Sequence, residues 1–223
     1  AQRLGAGGRP VPLIAETGGQ NAMIVDSSAL AEQVVADVLS SAFDSAGQRC
    51  SAVRVLCLQR DCADHVLEML EGAMRELRIG NPQSLAVDVG PVIDTQARSD
   101  IEAHIEAMRA KGRRIVLPVP ANESATRHGS FVAPALIELA SLAELQHEVF
   151  GPVLHVLRFE RDGLPDLLAQ INATGYALTL GLHTRIDETI AQIVEQSRAG
   201  NVYVNRNMVG AVVGVQPFGG EGL

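Results

Sequence analysis

The sequence predicts an α/β fold in which a mainly parallel sheet carries helices on both faces. Short apolar runs of strand length alternate along the chain with longer segments that have one apolar stripe at helical spacing. Glycine, proline and asparagine separate these segments, as is typical of the ends of strands and helices. Because neighbouring parallel strands need a crossover connection, regular alternation of strand and helix indicates a parallel sheet.

The predicted elements extend over nearly the whole chain. Residues 1–12 are rich in glycine, arginine and proline and are interpreted as a flexible N-terminal segment, whereas residues 13–223 form one folded domain. Apolar runs predict strands over residues 12–15, 22–25, 53–58, 114–117, 131–137, 153–159, 178–182 and 200–205. Apolar stripes predict helices over residues 29–42, 63–77, 95–111 and 165–173 and a last helix that ends near residue 197. A polar loop is expected over residues 118–130.

Several residues have the chemistry of helix ends. Asp94 is placed to cap the helix over residues 95–111, and Gly112 to end it. Pro165 fits the first turn of its helix. Asp26 with the two serines after it is predicted to cap the first helix, and the Thr-x-x-Asp pattern that starts at Thr184 predicts a capping box. The buried stripe of the first helix is predicted to contain Leu30, Val34, Val38 and Leu39.

Composition argues against several classes of function. The 223 residues carry a net charge of −8 without a cluster of lysine and arginine, which argues against a nucleic-acid-binding surface. No apolar run approaches the ~20 residues of a membrane span, and the first residues lack the apolar core of a signal peptide, so a cytoplasmic protein is expected. Three cysteines without Cys-x-x-Cys spacing suggest neither disulfides nor a zinc site, and no other metal site is predicted.

Cys50 is the candidate nucleophile. It lies between a Gly-Gln pair and small residues, directly before the predicted strand over residues 53–58. This pattern predicts a thiol on a loop at the start of a strand, where small neighbours leave room for a substrate. Judged from this segment alone, a buried structural cysteine is an equally good interpretation. Cys57 within the strand and Cys62 at a helix start are interpreted as structural.

Three further motifs accompany the Cys50 motif. They are Glu-Thr-Gly-Gly at residues 16–19, Glu-Val-Phe-Gly-Pro at residues 148–152 and Pro-Phe-Gly-Gly at residues 217–220. Taken singly each is weak, because Glu16 also fits a solvated loop acid and the motif at 148–152 also fits a turn. In this order and at these spacings, the four motifs resemble those of the NAD(P)-dependent aldehyde dehydrogenase superfamily over nearly the whole chain.

Longer runs narrow the resemblance to one branch. Residues 15–26, 42–52 and 205–214 resemble the pyrroline-5-carboxylate dehydrogenase domain of the bacterial bifunctional flavoenzymes called proline utilization A. This resemblance implies an aldehyde dehydrogenase catalytic domain that oxidises L-glutamate γ-semialdehyde, derived from 1-pyrroline-5-carboxylate, to L-glutamate in proline catabolism. NAD is the implied cofactor, and FAD is expected only in another domain of the longer chain.

The resemblance assigns the two catalytic roles. It implies that Cys50 attacks the aldehyde to give a thiohemiacetal and then a thioester, and that Glu16 is the general base that activates water. The backbone amide of Cys50 is expected to donate one hydrogen bond to the oxyanion. Residues 88–93 resemble a loop that the superfamily keeps near its active site.

The resemblance also implies four binding residues. Glu148 and Phe150 match the positions that bind the nicotinamide ribose and pack against the nicotinamide ring. Ser51 is a candidate donor to the substrate carboxylate, and Phe218 matches a position that packs against the aldehyde chain. No Gly-x-Gly-x-x-Gly fingerprint of dinucleotide binding is present between a strand and a helix.

The expected partners follow from the same resemblance. The nucleotide-binding domain and the substrate-anchoring C-terminal loop of the branch are missing from the sequence. We therefore expect a fragment that folds around its own core but turns over poorly. The expected partners are a small-molecule substrate, the N-terminal nucleotide-binding and proline dehydrogenase domains of the longer chain, and further copies in a homo-oligomer. Two alternatives stay open, namely an aldehyde dehydrogenase of different substrate and a non-catalytic assembly module.

Overall fold

A seven-stranded sheet forms the centre of the computed structural model, which describes residues 8, 18–119, 123–212 and 214–216. Along the sheet the strand order is β3-β4-β5-β2-β1-β6-β7. All neighbouring pairs are parallel except β3 with β4, which confirms the predicted mainly parallel sheet. The strands are β1 (Asn21–Val25), β2 (Val53–Gln59), β3 (Ile115–Val116), β4 (Ala135–Glu138), β5 (Val153–Phe159), β6 (Thr179–His183) and β7 (Asn201–Val204).

Helices connect these strands and cover the sheet. Their bounds are α1 (Ala31–Phe43), α2 (Arg60–Met74), α3 (Thr95–Ala110), α4 (Glu123–Thr126), α5 (Leu164–Ala173) and α6 (Asp187–Gln196). The connection from β1 to β2 moves in one direction along the sheet, and those from β5 to β6 and from β6 to β7 move in the other. Because parallel crossovers are right-handed, α1 lies on one face and α5 and α6 on the opposite face. Helix α2 packs against α1.

The core is built on the central strands. Every residue of β1, β2 and β6 is buried. A strand that is covered on both faces needs apolar side chains on both, which explains why residues 22–25 of β1 and 55–58 of β2 are apolar without alternation. Within the described residues, no helix is long and apolar enough to cross a lipid bilayer.

Three of the predicted helix ends are confirmed. The Asp94 carboxylate accepts a hydrogen bond of 2.8 Å from the backbone N–H of Ala97, so it caps α3. Gly112 follows α3 with a φ of 73°, and its N–H donates to the Arg109 carbonyl. Pro165 lies in the first turn of α5.

Both capping predictions at the other helices are wrong. The Asp26 carboxylate accepts from the N–H of Ser28 and from the hydroxyl of Thr184, which joins the ends of β1 and β6. Helices α1 and α6 consequently begin after Leu30 and Ile186, without a side-chain cap. Leu30 precedes the helix and is 53% exposed, so the prediction that it belongs to the buried stripe is wrong as well.

Two predicted segments differ from the observed ones. The strand predicted over residues 131–137 begins only at Ala135, because Pro134 has no N–H to donate to the sheet. The predicted loop over residues 118–130 contains the short helix α4. The predicted strand over residues 12–15, and all of the predicted flexible segment 1–12 except Gly8, lie outside the described residues.

The central strand β2 provides a test of this core. Leu56 is fully buried there, whereas Leu85 is fully exposed in the loop after α2. Leu56→Ala is expected to lower the free energy of unfolding by about 3 kcal/mol, because it leaves a cavity in a packed interior. Equilibrium unfolding in urea measures this loss. The matched change Leu85→Ala is expected to alter stability by less than about 0.5 kcal/mol. Equal losses in the two variants would contradict the described core.

Candidate active site

Three of the sequence motifs meet at the amino ends of three neighbouring strands. Residues 18–20 precede β1, Cys50 precedes β2, and residues 148–152 precede β5. Because β5, β2 and β1 are adjacent and parallel, the segments before them share one edge of the sheet. Two hydrogen bonds join the segments there. The Glu148 carboxylate accepts from the N–H of Gly19 at 2.9 Å, and the Asn21 side chain donates to the Cys50 carbonyl at 2.6 Å.

The turn that carries Cys50, residues 44–52, has an unusual backbone. Ser45, Ala46 and Gly47 are consecutive residues with φ values of 57°, 54° and 67°. This left-handed conformation costs roughly 1–2 kcal/mol at a residue that has a side chain. Strained backbone of this kind is concentrated at functional sites. Gly47 is further required because a Cβ atom there would lie 2.3 Å from the Gly151 carbonyl oxygen.

Cys50 differs from Cys57 in its exposure. All three are free thiols, and Cys50 is half-buried. Cys57 is fully buried within β2, where burial raises the pKa of its thiol to about 12. Burial also raises the pKa of the Cys62 thiol. Because the thiolate is the reactive form, Cys57 is chemically silent at neutral pH, and the structural interpretation of Cys57 is supported.

Asn21 is a residue that sequence reasoning missed. Its side-chain N–H groups donate to the carbonyls of Cys50 and Ala52, and its side-chain oxygen accepts from the N–H of Thr179. It is buried at the first position of β1. Asn21 therefore attaches the Cys50 turn to both β1 and β6. A signal existed in the sequence, since a polar side chain that opens a buried strand needs hydrogen-bond partners.

Close packing at residues 18 and 19 explains why the motif that begins at Glu16 contains two glycines. A Cβ atom at Gly19 would lie 2.3 Å from the Cys50 carbonyl oxygen, and one at Gly18 would lie 2.1 Å from a Glu148 carboxylate oxygen. Only glycine permits these approaches, which bring the segment after Glu16 against both other motifs. Glu16 itself and Phe218 lie outside the described residues.

Arg54 is the second residue that sequence reasoning missed. It is 1% exposed in β2, and its Nη2 and Nε atoms donate to Glu148 Oε1 at 3.0 and 3.2 Å. Its guanidinium carbon lies 5.1 Å from the centroid of the Phe150 ring. Burial lowers the pKa of Arg54, and the charge of Glu148 opposes that effect. The sequence signal was a charge inside an apolar strand, which requires a buried partner.

Glu148 and Phe150 border a cavity of about 630 Å³. One wall is helix α3, with Ile101, His104 and Met108, and the other consists of residues 144–150. Glu148 is 12% exposed, whereas Phe150 is 41% exposed. A carboxylate and an accessible aromatic ring thus stand side by side at the edge that carries Cys50. Ser51 is buried beside Cys50.

The predicted active-site loop over residues 88–93 is attached to the Cys50 turn by one side chain. Gln48 donates to the Pro91 carbonyl at 3.2 Å and accepts from the N–H of Ile93 at 2.8 Å. The loop therefore lies beside the turn, as expected from the resemblance. Among the residues that the structure describes, no group of three or more His, Cys, Asp and Glu side chains could hold a metal ion.

A pair of histidines lies behind the site. His155 Nδ1 is 3.0 Å from the Arg54 carbonyl, and its Nε2 is 2.9 Å from Nε2 of His104. A carbonyl only accepts, so Nδ1 of His155 carries the proton and its Nε2 accepts from His104. Burial lowers the pKa of His155 to about 3 and that of His104 to about 4. Both rings are therefore neutral at pH 7.

Comparison with known proteins decides the family. The family model described as "Aldehyde dehydrogenase family" matches residues 2–223. The chain belongs to the aldehyde dehydrogenase family. It is 68% identical to the bifunctional protein PutA of Escherichia coli K12 over 100% of this chain, which is 17% of that protein. It is 33% identical to a 1-pyrroline-5-carboxylate dehydrogenase of Bacillus cereus over 93% of this chain and 40% of that enzyme.

Solved structures agree with this assignment. A variant of Bradyrhizobium japonicum Proline Utilization A (PutA) superposes with a TM-score of 0.90 at 54% identity, covering 97% of this chain and 22% of that one. A 1-pyrroline-5-carboxylate dehydrogenase from Thermus with bound NAD superposes with a TM-score of 0.82 at 34% identity, covering 93% and 39% of the two chains. This aldehyde dehydrogenase chain thus spans under a quarter of the PutA proteins that it matches.

The ion pair in this aldehyde dehydrogenase chain can be tested by neutralising the acid. Glu148→Gln leaves the buried Arg54 cation without a counter-charge, so the free energy of unfolding is expected to fall by about 3 kcal/mol. Urea unfolding measures the change. The matched variant Glu160→Gln removes the exposed ion pair with Arg60 and is expected to cost less than about 1 kcal/mol. If Glu148→Gln costs no more than this control, the ion pair does not contribute to the fold.

The histidine pair predicts a pH dependence of stability. Folded pKa values of about 4 for His104 and about 3 for His155 lie below the ordinary value near 6.5, so the unfolded chain binds more protons in acid. The free energy of unfolding is therefore expected to fall as the pH drops from about 6.5 towards 4. His104→Gln is expected to make this fall shallower, whereas His65→Gln, on the exposed face of α2, leaves it unchanged. Urea unfolding at several pH values measures the slope, and identical slopes in all three proteins would contradict the prediction.

Proposed function

We propose that this chain is the catalytic part of an aldehyde dehydrogenase that oxidises glutamate γ-semialdehyde, formed from 1-pyrroline-5-carboxylate, to glutamate with NAD. The observation that carries the proposal is a half-buried thiol, Cys50, on a left-handed turn held against Gly19 and Asn21. The substrate follows from relatives named 1-pyrroline-5-carboxylate dehydrogenase and PutA.

Cys50 is the nucleophile of the proposed reaction. Its thiolate adds to the aldehyde carbon and forms a C–S bond, while the carbonyl electrons move to the oxygen to give a thiohemiacetal alkoxide. The backbone N–H of Cys50 is proposed to donate to that oxygen. When the alkoxide collapses, the carbon loses its hydride and a thioester remains on Cys50. Bound NAD supplies the acceptor for this hydride.

Glu148 and Phe150 are the proposed contacts for that cofactor. Glu148 Oε1 already accepts two hydrogen bonds from Arg54, whereas Oε2 accepts one from Gly19 and retains a lone pair for a ribose hydroxyl. The exposed Phe150 ring offers an apolar face to a flat heteroaromatic ring. Together with the adjoining cavity of about 630 Å³, these residues fit a nicotinamide nucleoside. We therefore propose NAD as the cofactor.

The remaining roles concern hydrolysis and substrate binding. Glu16 is proposed to take a proton from water, which attacks the thioester carbon and releases glutamate and the Cys50 thiolate. The close approach of Gly19 to Cys50 supports this role, because Glu16 is three residues before Gly19 in the chain. Ser51 is proposed to donate to the substrate carboxylate, and Phe218 to pack against its carbon chain.

The proposal extends to the longer protein that contains this chain. We propose that residues 13–223 form the catalytic domain and that residues 1–12 lead into it. The parts of the longer chain that carry nucleotide binding, FAD and proline dehydrogenase activity are proposed to lie outside these residues. The longer protein is further proposed to be a homo-oligomer in the cytoplasm.

The experiment is a comparison of NADH formation from 1-pyrroline-5-carboxylate by the longer protein and by its Cys50→Ala variant. The variant is expected to lose activity by a factor on the order of 10³ or more, because alanine has no thiol to form the proposed thioester. Cys62→Ala is the matched control and is expected to keep the activity, since Cys62 lies at the start of α2, beyond the opposite end of β2, where its thiol donates to the Gln59 carbonyl.

Three results would contradict the proposal. An active Cys50→Ala variant would remove Cys50 from the mechanism. A longer protein that oxidises another aldehyde but not this one would overturn the substrate, and one with no dehydrogenase activity at all would favour the non-catalytic assembly module.

A further inference from the structure

The guanidinium group of Arg54 contacts two separate turns at the site. Its Nη1 atom donates to the carbonyl of Gly47 at 2.6 Å and to that of Gly151 at 3.3 Å, and its Nη2 atom donates to the carbonyl of Arg49 at 3.2 Å. Gly47 and Arg49 belong to the Cys50 turn, residues 44–52. Gly151 belongs to the second turn, residues 148–151, which we call the Glu148 turn.

The hydrogen-bonding capacity of this side chain is fully used. A guanidinium has five N–H groups in one plane, and Arg54 makes five contacts, two to Glu148 and three to carbonyls. At 1% exposure, solvent does not compete for these donors. The planar fork therefore fixes the positions of its acceptors relative to one another. A lysine has three donors on a point charge and could not reproduce this set.

The network also includes the other groups of the site. Glu148 Oε2 accepts from Gly19, so the Arg54 and Glu148 pair extends to the segment after Glu16. Burial lowers the pKa of Arg54, and the opposite charge of Glu148 counteracts this effect. Arg54 stands on the rigid central strand β2, directly below the turn that carries Cys50.

We propose that Arg54 is a positioning residue that sets the distance between Cys50 and the cofactor-binding Glu148 by joining the Cys50 turn to the Glu148 turn. The inference rests on the proposed function, since it concerns the geometry of the same reaction. Arg54 contacts neither the substrate nor the cofactor in this scheme. Its loss therefore displaces the reacting groups without removing a substrate contact.

The test compares Arg54→Gln and Arg54→Lys in the longer protein that contains this chain. Displacement of reacting groups is expected to lower kcat by about 10²-fold in both variants, while KM for the aldehyde stays within about twofold because no substrate contact is removed. Arg54→Lys keeps the charge and serves as the conservative variant. The matched control is Arg158→Gln, which removes a contact to Asp64 and Glu138 near the opposite end of β5 and is expected to keep kcat.

A second measurement does not depend on turnover. Amide hydrogen exchange without substrate or cofactor is expected to become faster in residues 44–52 and 148–151 together in both Arg54 variants. Neither segment is expected to change in Arg158→Gln. This coupled change is the signature of a side chain that joins the two turns.

Three outcomes would overturn the inference. Full kcat in Arg54→Lys would show that the charge alone matters. Full kcat in Arg54→Gln with only a lower Tm would show that Arg54 serves the fold and not the reaction. Unchanged exchange in either turn would show that the turns are held by other contacts. If the unsubstituted protein forms no NADH from 1-pyrroline-5-carboxylate, the proposed function fails, and the exchange measurement still decides the role of Arg54.

Discussion

The structure of the site depends on a buried charge in a strand that is covered on both faces. Arg54 lies in β2, at the centre of the sheet, where solvent cannot neutralise its guanidinium. An unpaired ion in such a place costs several kcal/mol, so the chain must supply a carboxylate and enough acceptors. Glu148 and three backbone carbonyls meet this need. Two segments about a hundred residues apart are thereby held at one edge of the sheet.

The choice of edge distinguishes this chain from many open α/β sheets. Ligands of such sheets commonly bind beyond the carboxyl ends of the strands. At that edge a described cavity beside Asp26 is only about 40 Å³, and the Asp26 carboxylate accepts hydrogen bonds from Ser28 and Thr184. A second described cavity, of about 500 Å³, lies near the carboxyl ends of β4 and β5, beside Glu138 and Arg158. The motifs and the cavity of about 630 Å³ lie at the amino edge, where the turns before β1, β2 and β5 meet.

Exposure separates Cys50 from Cys57 more clearly than their sequence does. Cys57 follows Cys50 by seven residues, yet it points into the core, where its thiol stays protonated. Cys50 lies outside the strand because three left-handed residues before it reverse the chain. The Gly19 and Asn21 contacts then hold the turn at both sides. The contacts from Gly19 and Asn21 thereby hold Ser45 and Ala46 in their strained left-handed conformation.

The sequence by itself determined the alternation of strands and helices, the parallel sheet, the family and the position of Cys50 before a strand. These features depend on local apolar spacing and on short motifs, and both can be identified in the sequence alone. Tertiary structure alone decided that Asp26 and Thr184 bond to each other instead of capping helices, and that Asn21 and Arg54 build the site. Their partners lie on other strands, and the energy of a buried polar group depends on which distant atoms satisfy it. Sequence spacing carries no direct record of those distances, so only the folded chain could assign them.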